Sequence, residues 1–345
     1  MKKCAVFLAV ILLLSLIFGC RAKEQVTLNV LNWGDYIDES VLKQFETEHP
    51  GIKINYLTAA SNEEMLIKLT APDSIYDICF PSDYIIEKMI EKDMLHQLNK
   101  ENIPNLKNID PRFLDLAFDK DNLYSVPYMW GTVGILYNTD IVKEPVHSWR
   151  ILWDEAYAGQ ILMYDSIRDT IGITLKMLGY PINTRDPQHI KEAQDALIAQ
   201  KPIVQAYLHD PIKASMIAGN GALAIVYSGD AVWCIEENPV LAYAVPDEGS
   251  NIWFDNIIIP KNSKHTAEAE AFINFLCDAE VALKNTEFIG YSTPNEAAMA
   301  LLEPEMLLNE VYNPPNEVIE RCEVFHDLGE FVSVYNEAWN RIKAA

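Results

Sequence analysis

Positive charge is scarce in this chain: 27 lysines and arginines stand against 50 aspartates and glutamates, a formal net charge of −23. Such a balance repels nucleic acid and anionic lipid and attracts cations. Histidine is sparse and scattered, with no H-E-x-x-H or comparable cluster, so neither a catalytic metal nor a cofactor is expected. The cysteines are too far apart for any metal-ligand spacing. Cys79, Cys234, Cys277 and Cys322 lie in apolar surroundings such as Ile78-Cys79-Phe80, which makes buried free thiols the default and leaves a disulfide open. There is no G-x-S-x-G and no P-loop, and Gly219-Asn220-Gly221 precedes a strand where a dinucleotide loop would follow one. These absences weigh against an enzyme. No internal repeat or low-complexity stretch is evident either.

Long hydrophobic runs are also missing, apart from one at the start. Ala5 to Phe18 is almost unbroken and follows Lys2 and Lys3, but it falls short of the roughly 17 to 25 residues of a membrane-spanning helix. Residues 1–19 therefore read as a signal peptide that is removed. Leu16-Ile17-Phe18-Gly19-Cys20 resembles the bacterial lipoprotein signal, in which the cysteine is lipidated and becomes the mature N-terminus. That implies a soluble domain tethered by Cys20 to a membrane surface, in the periplasm or at the cell surface. The remaining chain exceeds the size, about 250 to 300 residues, at which single cores stop growing, so two lobes are expected.

Within it, strands and helices alternate. Val26 to Asn32 has the apolar and polar alternation of a strand, and Asp38 to His49 reads as the helix after it. Asn32-Trp33-Gly34-Asp35-Tyr36 is then the turn after a strand, where open α/β sheets place their ligands. Its rings and carboxylate suit an organic cation, the rings through their negative faces and the carboxylate through a charge-assisted hydrogen bond. Lys53 to Leu57 and Tyr76 to Phe80 read as strands, Asn62 to Leu69 and Ser82 to Lys92 as helices, the second capped by Ser82. A largely parallel sheet flanked by helices follows from this order. Pro81-Ser82-Asp83-Tyr84 lies on the same sheet edge, where the Ser82 oxygen and the Tyr84 ring could serve an amine, although a plain helix cap explains it equally. Tyr124 to Tyr137 is extended, with Gly131 and Gly134 breaking it, and can cross between lobes.

The second lobe repeats the pattern: strands Ile161 to Tyr164, Ile203 to Leu208 and Ala222 to Tyr227, and helices Asp169 to Leu178, Pro187 to Ala199 and Ile212 to Ala218. Tyr164-Asp165-Ser166 leading into Arg168-Asp169, Tyr227-Ser228-Gly229-Asp230, and Trp253-Phe254-Asp255 opening the run Ile257 to Pro260 each set a carboxylate beside an aromatic or at a helix start. Any one alone reads as a helix cap. Helices Ala267 to Leu276 and Ala279 to Glu287 lead to Gly290-Tyr291-Ser292-Thr293-Pro294-Asn295. In the tail, Phe331, Val334, Tyr335, Ala338 and Trp339 share one helical face, read as core packing and not as a partner site.

Together, Asn32-Trp33-Gly34-Asp35-Tyr36, Pro81-Ser82, Pro127-Tyr128-Met129-Trp130-Gly131, Ser148-Trp149, Trp253-Phe254-Asp255 and Gly290 to Asn295 closely resemble the bacterial spermidine/putrescine-binding proteins, the extracytoplasmic receptors of polyamine ABC importers. The likeness runs in order over essentially the whole mature chain. It implies a two-lobe α/β periplasmic-binding-protein fold, each lobe a mixed, mostly parallel sheet flanked by helices. Lobe 1 is expected over 26–127 and 256–304, lobe 2 over 128–255 and 305–345, with the ligand between them. The family's aromatic walls match Trp33, Tyr36, Trp253 and Tyr291, its hydroxyl contact Ser82, and its carboxylates Asp35, Asp169 (glutamate in characterised relatives) and Asp255. Spermidine-type members carry an aspartate where this chain has Ser166 and a tryptophan where it has Tyr227, and a glutamine of theirs falls near Phe325. Putrescine-type members have a carboxylate where this chain has Asp230 and a Trp-Ser-Asp-Tyr loop like Trp33-Gly34-Asp35-Tyr36.

A buried ammonium is costly unless paired, so losing a carboxylate where a third amine would lie favours the diamine. The expected ligands are thus putrescine first and spermidine second, the expected partner an ABC permease, and the expected state a monomer that binds no nucleic acid. A spermidine-preferring receptor, or a polyamine-sensing surface lipoprotein without a transport role, stands as the alternative.

Overall fold

The structure is a computed structural model that describes residues 25–345; the signal segment, Cys4 and Cys20 lie outside the described residues. In chain order its main elements are β1 (Val26–Asn32), α1 (Glu39–Glu48), β2 (Ile52–Thr58), α2 (Asn62–Thr70), β3 (Ile78–Cys79), α3 (Asp83–Glu91) and β4 (Ser125–Asn138). Then come β5 (Ile161–Tyr164), α4 (Ile167–Leu178), α5 (Pro187–Gln200), β6 (Val204–Leu208), α6 (Pro211–Ile217), β7 (Leu223–Tyr227), α7 (Ser228–Glu237) and β8 (Leu241–Ala244). The chain closes with β9 (Ile252–Ile258), α8 (Thr266–Leu276), α9 (Ala279–Ile289), three short helices, and α10 (Val332–Ala344).

Local chemistry sets the helix starts. The Asp38 carboxylate accepts from the Ser40 amide at the head of α1, and the Ser61 hydroxyl from the Glu64 amide at the head of α2. Each satisfies a donor that the first turn cannot. Helix α4 ends at Gly179, whose φ of +84° closes it in the left-handed conformation glycine tolerates.

The strands run in the order β2-β1-β3-β9-β4-β7-β5-β6, with β8 also paired to β4. Parallel pairs (β2-β1-β3 and β7-β5-β6) sit at either end, and antiparallel pairing joins them through the middle. The joint is β4. Its first part, Ser125 to Thr132, pairs with β9, and its second part, from Val133, pairs with β7 and β8. The expected lobe limits at 127/128 and 255/256 therefore fall inside two strands that pair with each other.

Two expectations about this joint need correction. Gly131 and Gly134 do not break the strand, because both lie within the paired length of β4. They are small because other groups lie on the backbone there: a Cβ on Gly131 would sit 2.7 Å from both Ser228 Oγ and Trp253 Cζ2. Second, Trp253-Phe254-Asp255 does not precede the strand expected over Ile257 to Pro260 but lies within β9, whose pairing begins at Ile252. Strand alternation sends Trp253 and Asp255 to one face and Phe254 to the other, where it packs near Phe113 and Phe118.

The tail face is core packing: Tyr335, Ala338, Trp339 and Ile342 of α10 are buried, and the helix lies on α4 and α5. Cys79, Cys234 and Cys277 are buried free thiols and Cys322 a half-buried one. Among the described residues no helix is long and apolar enough to cross a membrane.

Candidate functional site

The site forms along the joint between the two halves of the sheet, where β9 and β4 pair. Asp255 projects from β9 and accepts two hydroxyls, Tyr36 at 2.9 Å and Ser82 at 2.6 Å. Ser82 is the residue before α3, yet its side chain makes no cap bond to that helix. Its hydroxyl is turned to Asp255 while it accepts from Asn62 at 2.9 Å, so the plain-cap reading does not hold.

From Tyr36 a row of rings crosses the site. Tyr36 meets Tyr291 at 5.9 Å, Tyr291 meets Trp253 at 5.1 Å, Trp253 meets Tyr227 at 5.9 Å, and Tyr227 meets Tyr164 at 5.1 Å. All four contacts are edge-to-face, the arrangement ring quadrupoles favour. At the far side, Asp169 in the first turn of α4 accepts from Tyr227 at 2.9 Å and from Ser166, the N-cap of that helix, at 2.6 Å. Ser166 thus orients Asp169 through its hydroxyl.

Burial pushes the Asp255 carboxyl up to about 6, opposed by the Ser82 and Tyr36 donors. Asp169 is raised too, by burial against the Ser166 and Tyr227 hydrogen bonds. Neither has an ion-pair partner among the described residues. Several buried polar atoms here have no hydrogen-bond partner within the chain: Trp33 Nε1, Trp253 Nε1, Asp169 Oδ1 and Asn251 Oδ1. Of these four only the Asp169 and Asn251 oxygens are acceptors that a cation could use, since the two indole N–H groups can only donate.

Four sequence-predicted residues sit differently from the two central aspartates. Asp35 is exposed in a left-handed turn (φ 48°) outside the Asp255 hydrogen bonds. Trp33, by contrast, is half-buried and anchored through its carbonyl, which accepts from Tyr56. Tyr84 donates to Glu63, and its ring lies 5.5 Å from the buried Arg168 guanidinium, which is also 4.3 Å from the Phe325 ring. Asp230 is paired with Lys213 at 3.2 Å.

Sequence reading missed Asn62, Asp83, Arg168, Lys213 and Asn251. Asp83 is buried, accepts from the Tyr84 and Phe254 amides, and burial pushes its carboxyl up to about 8, so it is mostly neutral at pH 7. None of the five carries a local signal, since each acquires its role from a partner distant in sequence. The Asp83 to Phe254 contact spans 171 residues. The two sides also meet outside the rings: Glu87 of α3 accepts from the Asp327 amide at 2.7 Å, and Lys88 lies 3.6 Å from the Asp327 carboxylate.

Two buried carboxylates that form no salt bridge thus flank an aromatic row at the joint between two sheet halves that share β4. Among the described residues no cluster of acids, histidines or thiols could hold a metal. The model of the bacterial extracellular solute-binding proteins matches residues 40–306, and the chain belongs to that family, among its spermidine/putrescine-binding members. It is 36% identical to the spermidine/putrescine-binding periplasmic protein of Escherichia coli, with 94% of each chain covered. It is 31% identical to a putrescine-binding periplasmic protein of Pseudomonas aeruginosa, again over 94% of each. The solved structure of a spermidine/putrescine ABC transporter protein from Listeria monocytogenes superposes with a TM-score of 0.88 at 42% identity, over 92% of this chain and 98% of that one. Proteins of this group are solute-binding components of transporters and not enzymes, and so is this chain.

Proposed function

We propose that this protein is a lipid-anchored extracytoplasmic receptor that binds polyamines, putrescine in preference to spermidine, and delivers them to an ABC permease. The observation that carries this reading is the number of buried carboxylates on the aromatic row that form no salt bridge, although the buried Arg168 guanidinium acts on Asp169 through space. Asp255 and Asp169 are two, Asp230 already has a lysine, and Asp35 is exposed. Two carboxylates match two ammonium ends. A third amine would be desolvated without a partner, which costs spermidine about 1 to 3 kcal/mol or more. The proposed contacts are Trp33, Tyr36, Ser82, Asp169, Tyr227, Trp253, Asp255 and Tyr291. Lobes 26–127 with 256–304 and 128–255 with 305–345 close over the ligand, and the closed monomer is what the permease recognises.

Calorimetric titration of the chain begun after Cys20, with putrescine and then spermidine in the same salt, tests the assignment. Tight binding with putrescine ahead is the expected result; equal or reversed affinities overturn the preference, and binding of neither overturns the ligand class. The same titration at pH 5 has a definite sign. The Asp255 carboxyl, raised to about 6 by burial, is ionised at pH 7 and mostly protonated at pH 5, whereas putrescine keeps both charges. Affinity is therefore expected to fall about tenfold between pH 7 and pH 5, with proton release on binding at the lower pH.

The lipid anchor rests on the Phe18-Gly19-Cys20 junction. Two or more acyl chains hold a protein stably at a membrane, so the full chain is expected in the detergent phase and Cys20→Ser in the aqueous phase. Unchanged partitioning of the variant would remove the anchor.

A further inference from the structure

Helix α3 meets the tail of the chain through one face. Tyr84, Glu87 and Lys88 stand at i, i+3 and i+4, so they share a side of the helix, and all three contact one short segment, Phe325-His326-Asp327. The Glu87 carboxylate accepts from the Asp327 amide at 2.7 Å and lies 3.4 Å from His326 Nδ1. The Lys88 ammonium lies 3.6 Å from the Asp327 carboxylate, and both side chains are largely withdrawn from solvent. The Tyr84 ring stands edge-on to the Phe325 ring, with 6.4 Å between their centroids.

That segment is tied to the opposite half of the fold. Arg168 of α4 donates to the His326 carbonyl at 3.1 Å and to Asn183 Oδ1 at 2.9 Å. The same Asn183 oxygen accepts from the His326 amide at 2.9 Å, and Asn183 Nδ2 donates to the Val324 carbonyl at 2.8 Å. Arg168 is the residue before Asp169, whereas α3 begins next to Ser82, which donates to Asp255. A run of contacts therefore leads from one buried carboxylate to the other, by way of Ser82, α3, the 324–327 segment and Arg168. It is separate from the strand pairing through β4 that joins the two halves.

We infer that Glu87, Lys88 and Asp327 are positioning residues: they form a clasp between α3 and the 325–327 segment that sets the two halves at the separation where Asp255 and Asp169 hold both ends of one ligand. This rests on the polyamine reading above, and none of the three touches the ligand. The physical reason is that two carboxylates on different halves can share one short molecule only when their spacing fits it, and β4 alone leaves the angle between the halves to be set by contacts elsewhere. Apparent affinity scales with the population of the binding-competent arrangement, so each contact that favours this arrangement adds to affinity. A carboxylate that accepts a backbone amide is among the stronger of such contacts.

The test is putrescine titration of Glu87→Ala beside the parent protein. Affinity is expected to fall about tenfold, mostly through faster release of the ligand. The melting temperature in saturating putrescine falls more than the ligand-free one, because the lost contact is linked to binding. Lys88→Glu and Asp327→Lys each set like charges against one another across the clasp and weaken binding about tenfold, and the double variant, with the charges exchanged, recovers to within about threefold of the parent. These reversals serve where Glu87→Ala does not fold. Unchanged putrescine affinity in the folded variants overturns the inference, as does a double variant that binds no better than the single ones. A melting temperature that falls equally with and without putrescine, at unchanged affinity, makes the contact a permanent structural one and overturns it too. If the parent protein binds putrescine, each of these failures concerns the clasp alone; if it binds neither putrescine nor spermidine, the polyamine reading itself has failed.

Discussion

Asp255→Asn is expected to weaken putrescine binding by two to three orders of magnitude without lowering the melting temperature of the ligand-free protein. Removing one side of a buried, hydrogen-bonded charge pair costs about 2 to 5 kcal/mol of binding, most of it the penalty of the ammonium left alone. The fold does not share that loss. With its carboxyl raised to about 6, the ionised Asp255 is a burden on the folded state: its unfavourable contribution grows as pH rises from the ordinary carboxylate range through about 6. Asparagine keeps one acceptor for Tyr36 or Ser82 and removes the charge, so ligand-free stability should stay within about 1 kcal/mol. Titration calorimetry and thermal melts on the same samples decide it. Unchanged affinity, or a loss of affinity matched by a loss of fold, would make Asp255 a structural residue.

Trp253→Ala should cost both stability and binding. The side chain is buried, stands edge-on to Tyr291 and Tyr227, and leans on the backbone at Gly131, so its removal leaves a cavity at the junction of the two sheet halves. Tryptophan-to-alanine changes in such positions cost about 3 to 5 kcal/mol. Putrescine affinity falls at least about tenfold, because a ring of the proposed aromatic wall is gone and Tyr291 loses its neighbour. Trp253→Phe separates the two effects: it restores most of the melting temperature and only part of the affinity. If phenylalanine restores neither, Trp253 has a role other than a wall.

Much of the scaffold was legible because it depends on short-range pattern. The limits of β1 and β5 agree with the strands read over Val26 to Asn32 and Ile161 to Tyr164, and α1, α2 and α5 with the helices read over Asp38 to His49, Asn62 to Leu69 and Pro187 to Ala199 to within a residue or so at each end. What failed locally failed for a physical reason. Helix α7 starts with Ser228-Gly229-Asp230, residues that also make turns, and is a helix because its apolar face packs on β4, β7 and α6. In β9, Asp255 and Asn256 look like a turn until the strands on both sides bury them.

The residue types of the site were legible; their partners were not. The sequence by itself determined an acidic, two-lobe α/β chain with aromatics and carboxylates at its strand ends, because composition, periodicity and capping act over a few residues. Only the tertiary structure decided which carboxylates are buried and which of them are salt-bridged. It brought Tyr36 and Ser82 to Asp255 across 219 and 173 residues, turned the Ser82 hydroxyl away from its own helix, left Asp35 in solvent and gave Lys213 to Asp230. Charge compensation depends on distances of a few ångströms through space, and no local pattern records which side chains will share them.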